Sequence, residues 1–156
     1  MSGINASQFR SLVVAPIVMA MTPDTPQAID LLMGTAMQES GLIALHQYGA
    51  GPALGLFEIE PVTAQGLYAD VQRSQFWTYV QGLIAPGLDP VNQLIGNLYY
   101  ECAMARFYYW RCPGAIPTTP EDQAQYYKLY YNTPAGAATV EEYLANWATL
   151  QKLLGG

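Results

Sequence analysis

Apolar residues recur at three- and four-residue spacing along most of the chain, while the two-residue alternation of half-buried strands is close to absent. Ala28, Leu31, Leu32, Thr35 and Ala36 mark one helix running to Glu39. Asp24-Thr25-Pro26 is expected to open it, with a capping side chain ahead of a proline suited to a first turn. Pro61-Val62-Thr63 opens another helix. Pro86, Gly87 and Asp89-Pro90 then form a boundary, and the periodic apolar and aromatic residues from Val91 to Arg111 predict one helix of about six turns, with Leu94, Leu98, Cys102 and Ala105 on one face. Pro113-Gly114 and Ile116-Pro117 stop it. Thr119-Pro120-Glu121-Asp122 starts a helix whose acidic first turn suits the dipole. That helix carries Tyr126, Tyr127, Tyr130 and Tyr131 and closes at Asn132-Thr133-Pro134. Thr139-Val140-Glu141-Glu142 opens the last helix, whose buried stripe is Tyr143, Trp147 and Leu150, and Gly155-Gly156 follows it.

The apolar segment Leu12 to Met21 is too short to span a bilayer, which takes ~20 residues, and it contains Pro16. Met1 to Ala6 carries no Lys or Arg, so a secretory signal is not expected either. Residues 1–22 read as an N-terminal apolar helix region, kinked or divided at Pro16. Gly41, Gly49, Gly51 and Pro52 define a loop of about ten residues, long enough to be a candidate functional loop. The short run Gly55 to Ile59 reads as extended, so a hairpin around 53–60 is the largest non-helical element expected. The chain is thus expected to be mainly α, a single domain over 1–156 with its catalytic-type core at 26–150. No internal repeat, linker or low-complexity tract interrupts it.

Composition adds two constraints. Hydrophobic residues make up 51% of the chain and charged ones only 12%, about half the usual share of roughly 25%, which implies that part of the surface rests against something else. With a net charge of −6, six Lys and Arg residues and no basic run, nucleic acid is not an expected partner. Cys102 and Cys112, placed on one predicted helix, lie ~15 Å apart by helical rise and cannot pair. One histidine, His46, and two cysteines are too few for a structural zinc site, so no metal and no cofactor are expected. His46 reads as a polar loop residue.

Most acidic residues have plain explanations: Glu121, Asp122, Glu141 and Glu142 complement helix N-termini, and Glu101, among Tyr99, Tyr100 and Cys102, is expected to make a structural hydrogen bond. Glu39 differs. Ala36, Met37, Leu42 and Ile43 surround it with apolar side chains, and Ser40 is placed to hydrogen-bond it. Such surroundings penalise the charged form and keep a proton available to donate near neutral pH. In the 55–61 segment, Glu58 and Glu60 alternate with Phe57 and Ile59, with one acid expected beside Glu39 and the other in solvent.

Three signatures then occur in order: Glu39-Ser40 closing a helix, Gly55-Leu56-Phe57-Glu58-Ile59-Glu60-Pro61 with Thr63 following, and Tyr131-Asn132. In these the chain resembles the lytic transglycosylase branch of the lysozyme-like superfamily, and especially the small versions carried in bacteriophage particles. The resemblance covers roughly residues 28 to 150. It implies a lysozyme-like helical domain with a saccharide groove in which Glu39 is the single catalytic acid/base. Glu39 would protonate the oxygen linking N-acetylmuramic acid to N-acetylglucosamine and then assist attack by the muramyl 6-hydroxyl, leaving a 1,6-anhydro product. Ser40 would support it, Phe57 and Ile59 would shape the groove floor, and Tyr131 and Asn132 would lie close to the acid. Within the tyrosine cluster, Tyr126, Tyr127 and Tyr130 are assigned to packing and Tyr131 to the groove.

One departure matters. The family usually has glutamine where this chain has Glu58, and a second carboxylate raises the pKa of one member of the pair and supplies a base able to activate water. Anhydro product, hydrolysis and loss of catalysis are all open at this point. The leading expectation is a peptidoglycan-cleaving glycosidase, borne in several copies in the tail or internal core of a phage virion among other virion proteins, acting on glycan strands in the host periplasm and cell wall. The alternative is a catalytically inactive structural virion protein with the same fold.

Overall fold

A computed structural model describes residues 3–49 and 51–155. Met1, Ser2, Ala50 and Gly156, which the sequence assigned to the N-terminal region, the 41–52 loop and the chain's closing glycines, lie outside the described residues. The domain is mainly helical, as expected. Among the described residues strand pairing is limited to two isolated antiparallel bridges, His46 with Leu54 and Leu54 with Ile59. The short hairpin expected around 53–60 is present in its smallest form, with Leu54 and Ile59 exchanging both backbone bonds.

The N-terminal region runs as α1 (Ala6–Phe9), a π-helical turn (Arg10–Val14) and α2 (Ala15–Met21). Pro16 sits at the start of α2. Having no N–H to donate, it leaves a gap in the hydrogen-bond ladder that the wider π turn absorbs, so the helical turns run on through Pro16 and are not split by it. Phe9, Val14, Ile17 and Val18 are buried in the core.

Helix α3 (Ala28–Ser40) follows, with Leu31, Leu32, Met33 and Ala36 fully buried. The expected cap does not form. Gln27 occupies the N-cap position without a side-chain bond, and the Thr25 carbonyl accepts from the Ala28 N–H. α3 packs against α8 (Val140–Leu154). Gly34 permits that approach, since a Cβ there would overlap the Tyr143 hydroxyl.

α4 (Pro61–Val71) begins at Pro61 as expected, but a break after Val71 separates it from a short α5 (Trp77–Gln81). The single helix predicted from Val91 to Arg111 is two elements, a 3-10 turn (Asn92–Ile95) and α6 (Leu98–Trp110). Two amide side chains impose the break. Asn97 caps α6 by accepting from the Tyr100 N–H and donates to the Leu83 carbonyl at 2.7 Å, while Gln93 binds the backbone of Ala85 through both its amide atoms. Cys112 falls beyond α6, and both cysteines are free.

α7 (Pro120–Tyr127) continues into a second π turn (Lys128–Asn132). Thr119 caps α7, and Thr139 with Glu142 forms a reciprocal capping box on α8, which accounts for the acidic residues at both starts. In α8, Tyr143 and Leu150 are buried and Trp147 is partly so.

Candidate active site

Helix α3 ends where Gly41 adopts φ +61° and donates its N–H to the Met37 carbonyl, which puts Glu39 in the last turn. Leu42 also has positive φ, 58°, completing a sharp reversal. Ser40 stabilises that reversal: its hydroxyl donates to the Ala36 carbonyl and accepts the Leu42 N–H. The bond expected from Ser40 to Glu39 is not made, because the Ser40 side chain turns back along its own helix.

Glu39 is instead held by Tyr127, whose hydroxyl donates to Oε1 at 2.6 Å. Burial pushes the Glu39 carboxyl up to about 7, the Tyr127 bond offsets part of this, and the nearby negative charge of Glu58 adds to it. The C-terminal end of a helix disfavours a carboxylate in the same sense. Oε1 is occupied by the tyrosine, so the exchangeable proton belongs on Oε2.

Glu39 opens on a cleft of about 490 Å³, which falls within the usual size range of ligand sites. Gln47 from the long loop, Glu58 and Ile59 from the 55–59 turn, and Tyr131 and Asn132 from the π turn contribute to its walls. Of the residues proposed from sequence, the fold brings Glu39, Glu58, Ile59, Tyr131 and Asn132 together around one space. Phe57 does not join them. Its side chain is fully buried against Phe9, and its contribution is a carbonyl that accepts the Tyr131 hydroxyl at 2.7 Å. Glu60 is exposed at the cleft edge, so Glu58 is the acid that faces inward.

The turn carrying Glu58 is clamped from two sides. Tyr131 holds the Phe57 carbonyl, and the buried Glu101 accepts the Leu56 N–H at 2.8 Å. Gly55, at φ +76°, has no room for a Cβ, which would overlap the Glu101 carboxylate and the Leu94 carbonyl. Burial pushes the Glu101 carboxyl up to about 8, against the pull of the backbone N–H groups of Leu56 and Phe57. Glu101 thus makes the structural bond expected of it.

Among the described residues, the non-glycine positions with positive φ are Leu42, Glu58 (44°) and Thr133 (66°). Glu58 and Thr133 both line the cleft, and Leu42 lies three residues from Glu39. Each such conformation costs ~1–2 kcal/mol, a strain that concentrates where a side chain must be aimed. Burial also raises the Glu58 carboxyl, while His46 pulls it down.

Tyr127 packs as expected and has a second role that the sequence does not reveal. Its ring packs on Tyr143 and Tyr131, as expected of a core tyrosine, but its hydroxyl reaches the candidate acid. The register Ala124, Tyr127, Tyr131, spaced by three and four, marks the inward face that carries both tyrosines, but not which hydroxyl meets Glu39. Among the described residues no group of three or more His, Cys, Asp or Glu side chains is placed to hold a metal, and no helix is long and apolar enough to cross a membrane. Compared with protein-family models, curated proteins and solved structures, the chain matches none of them.

Proposed function

We propose that this protein is a glycosidase that cleaves the β-1,4 bond between N-acetylmuramic acid and N-acetylglucosamine in peptidoglycan, with Glu39 as its acid/base. The observation that carries the reading is a buried carboxyl at the wall of a ligand-sized cleft, fixed by Tyr127 and faced by a second carboxyl, with burial raising it to about 7. General acid catalysis needs a group with a pKa near the working pH within reach of the substrate, and Glu39, raised to about 7, lines the cleft.

In the proposed reaction Glu39 Oε2 protonates the glycosidic oxygen as the bond to the anomeric carbon lengthens. The resulting carboxylate, stabilised by the Tyr127 hydroxyl, then takes the proton of the muramyl 6-hydroxyl as that oxygen closes on the anomeric carbon. Glu58 faces the same space and offers a second route, in which it takes a proton from water as that water attacks the anomeric carbon, so that the glycosidic bond is hydrolysed and a reducing end is left. The two products differ by the mass of one water. Digesting peptidoglycan with the wild-type protein and with Glu39→Gln tests the assignment, since the variant keeps the size of the side chain but has no proton to give.

The same reading places the protein in a phage particle. Leu12, Met19, Val62, Leu88, Tyr99 and Leu129 are large apolar side chains exposed on the domain, 48% to 70% accessible apart from Tyr99 at 47%. On a chain so poor in charge they suit a subunit covered by neighbours. Mass spectrometry of purified virions is the check, and presence in the lysate without presence in the particle contradicts the placement.

A further inference from the structure

Lys128, the first residue of the second π turn, does not line the Glu39 cleft but holds two residues that do. Its Nζ donates to Asn132 Oδ1 at 2.8 Å and to the Gly136 carbonyl at 2.7 Å. It makes no ion pair among the described residues. In a chain with a net charge of −6, an ammonium that takes an amide oxygen and a backbone carbonyl in place of a carboxylate serves by its donors. Between the two partners Thr133 is held at φ 66°, and Gly136 closes so tightly on Asn132 that a Cβ there would overlap the Asn132 carbonyl and amide oxygens. A β-branched residue keeps such a conformation only where its surroundings impose it, and the two Lys128 bonds do so from both ends of the loop.

An ammonium has three N–H groups and no acceptor, so it binds the Asn132 amide only through its oxygen, and the amide N–H2 edge is turned elsewhere. In a π turn residues five apart are neighbours, which sets Asn132 over Tyr127. The Asn132 side chain stabilises negative charge on the Tyr127 oxygen, as a donor does. Tyr127 in turn donates to Glu39 Oε1 at 2.6 Å. We infer that Lys128 is a positioning residue of this site: by fixing the Asn132 oxygen it aims the N–H2 edge at Tyr127, whose hydroxyl then donates more strongly to Glu39. Successive donors in a low-dielectric interior polarise one another in this sense. Glu39, Glu58, Tyr127 and Tyr131 are the titratable groups that influence one another here. Those acting directly on Glu39 are Tyr127 and Glu58, so the influence of Lys128 has to pass through Asn132. The inference rests on the reading of Glu39 as the acid/base.

The test follows the Glu39 carboxyl by ¹³C NMR of the full chain labelled at glutamate, the resonance being assigned by its loss in Glu39→Gln, beside the pH–rate profile of peptidoglycan digestion. Lys128→Met should raise the Glu39 midpoint by ~0.2–0.6 pH units, the size of a roughly 10–30% weakening of a charge-assisted bond. The alkaline limb of the rate profile should move up with it. Lys128→Arg, which keeps donors for both partners, should return the midpoint to the wild-type value. Asn132→Ala should raise it as Lys128→Met does, and adding Lys128→Met to Asn132→Ala should change nothing further. A residue that only braces the loop would act in the opposite sense, since an opened loop admits water and lowers the midpoint; a fall or no change in Lys128→Met overturns the proposal. An equal rise from Lys128→Met with and without the Asn132 amide overturns it too, because the ammonium would then act by its charge alone. Should Lys128→Met fail to fold, Lys128→Gln, with one donor and no charge, takes its place with a smaller rise expected and the same two outcomes against it. The titration needs no catalysis: the expected rises in a protein that releases no fragments would leave Lys128 acting on Glu39 and remove the glycosidase reading alone.

Discussion

Replacing Glu39 with Gln should stabilise the folded protein above neutral pH while abolishing its chemistry. The Glu39 carboxyl lies at about 7 in the fold against 4.5 in the unfolded chain, raised chiefly by burial. Below pH 4.5 both states are protonated and the group costs nothing. Between those values the folded state holds a proton that the unfolded state has released, so stability falls as pH rises. Above about 7 the full penalty is present, 2.5 pKa units at 1.36 kcal/mol each, or about 3 kcal/mol. Gln has no such ionisation and can still accept the Tyr127 hydroxyl through its amide oxygen. The gap between variant and wild type should therefore open from pH 4.5 to pH 8 in the variant's favour. For a domain of this size about 3 kcal/mol corresponds to ~6–12 °C in Tm. Glu101 titrates in the same direction, with its folded carboxyl at about 8, but both proteins carry it and it cancels in the difference. The assay is thermal or urea unfolding of the two proteins at half-unit pH steps. A difference that stays constant across the range would mean that Glu39 is not desolvated, and the case for it as a neutral-pH acid would collapse.

Tyr127→Phe removes the one hydrogen bond that favours ionised Glu39; a bond to a charged group is worth roughly 1.5–3 kcal/mol, so the alkaline limb of the activity profile should move up by ~1–2 pH units. Glu58→Gln removes the negative charge that raises Glu39, and the same limb should move to lower pH, which a pH–rate profile of peptidoglycan digestion reads directly. Gly55→Ala should cost at least ~2 kcal/mol in chemical denaturation, from the strain of positive φ and the overlap with Glu101 and Leu94, and activity per folded molecule should fall as the Glu58 turn shifts.

Features written into short stretches of sequence were legible. The starts at Pro61, Thr119 and Thr139 depend on side chains within three residues of the helix they open, so a local pattern contains all the information needed. The break at Gly96-Asn97 is different, because the apolar period runs straight through it. What interrupts the helix is the bonding of Asn97 and Gln93 to Leu83, Ala85 and Leu88, partners from another segment that no local window sees. The site divides in the same way. Glu39 stands out by its apolar flanks together with the Glu39-Ser40 signature, and Glu58 by its place in the 55–61 segment. The choice between Tyr127 and Tyr131 depends on the π turn at Lys128–Asn132, where one extra residue per turn rotates the chain away from the 3.6-residue register used to assign faces. Ser40 is expected to bond Glu39, and Phe57 to floor the groove on the resemblance. The left-handed reversal after Ser40 and the core packing of Phe57 send both side chains elsewhere.

The most direct measurement is digestion of purified peptidoglycan at neutral pH by the wild-type protein and by Glu39→Gln, with the released fragments identified by mass. The account predicts disaccharide-peptide fragments cut at the N-acetylmuramic acid to N-acetylglucosamine bond, with either anhydro or reducing ends, and a rate at least ~100-fold lower for the variant. Wild-type protein that releases no fragments, or a folded Glu39→Gln that releases them at the wild-type rate, would contradict it.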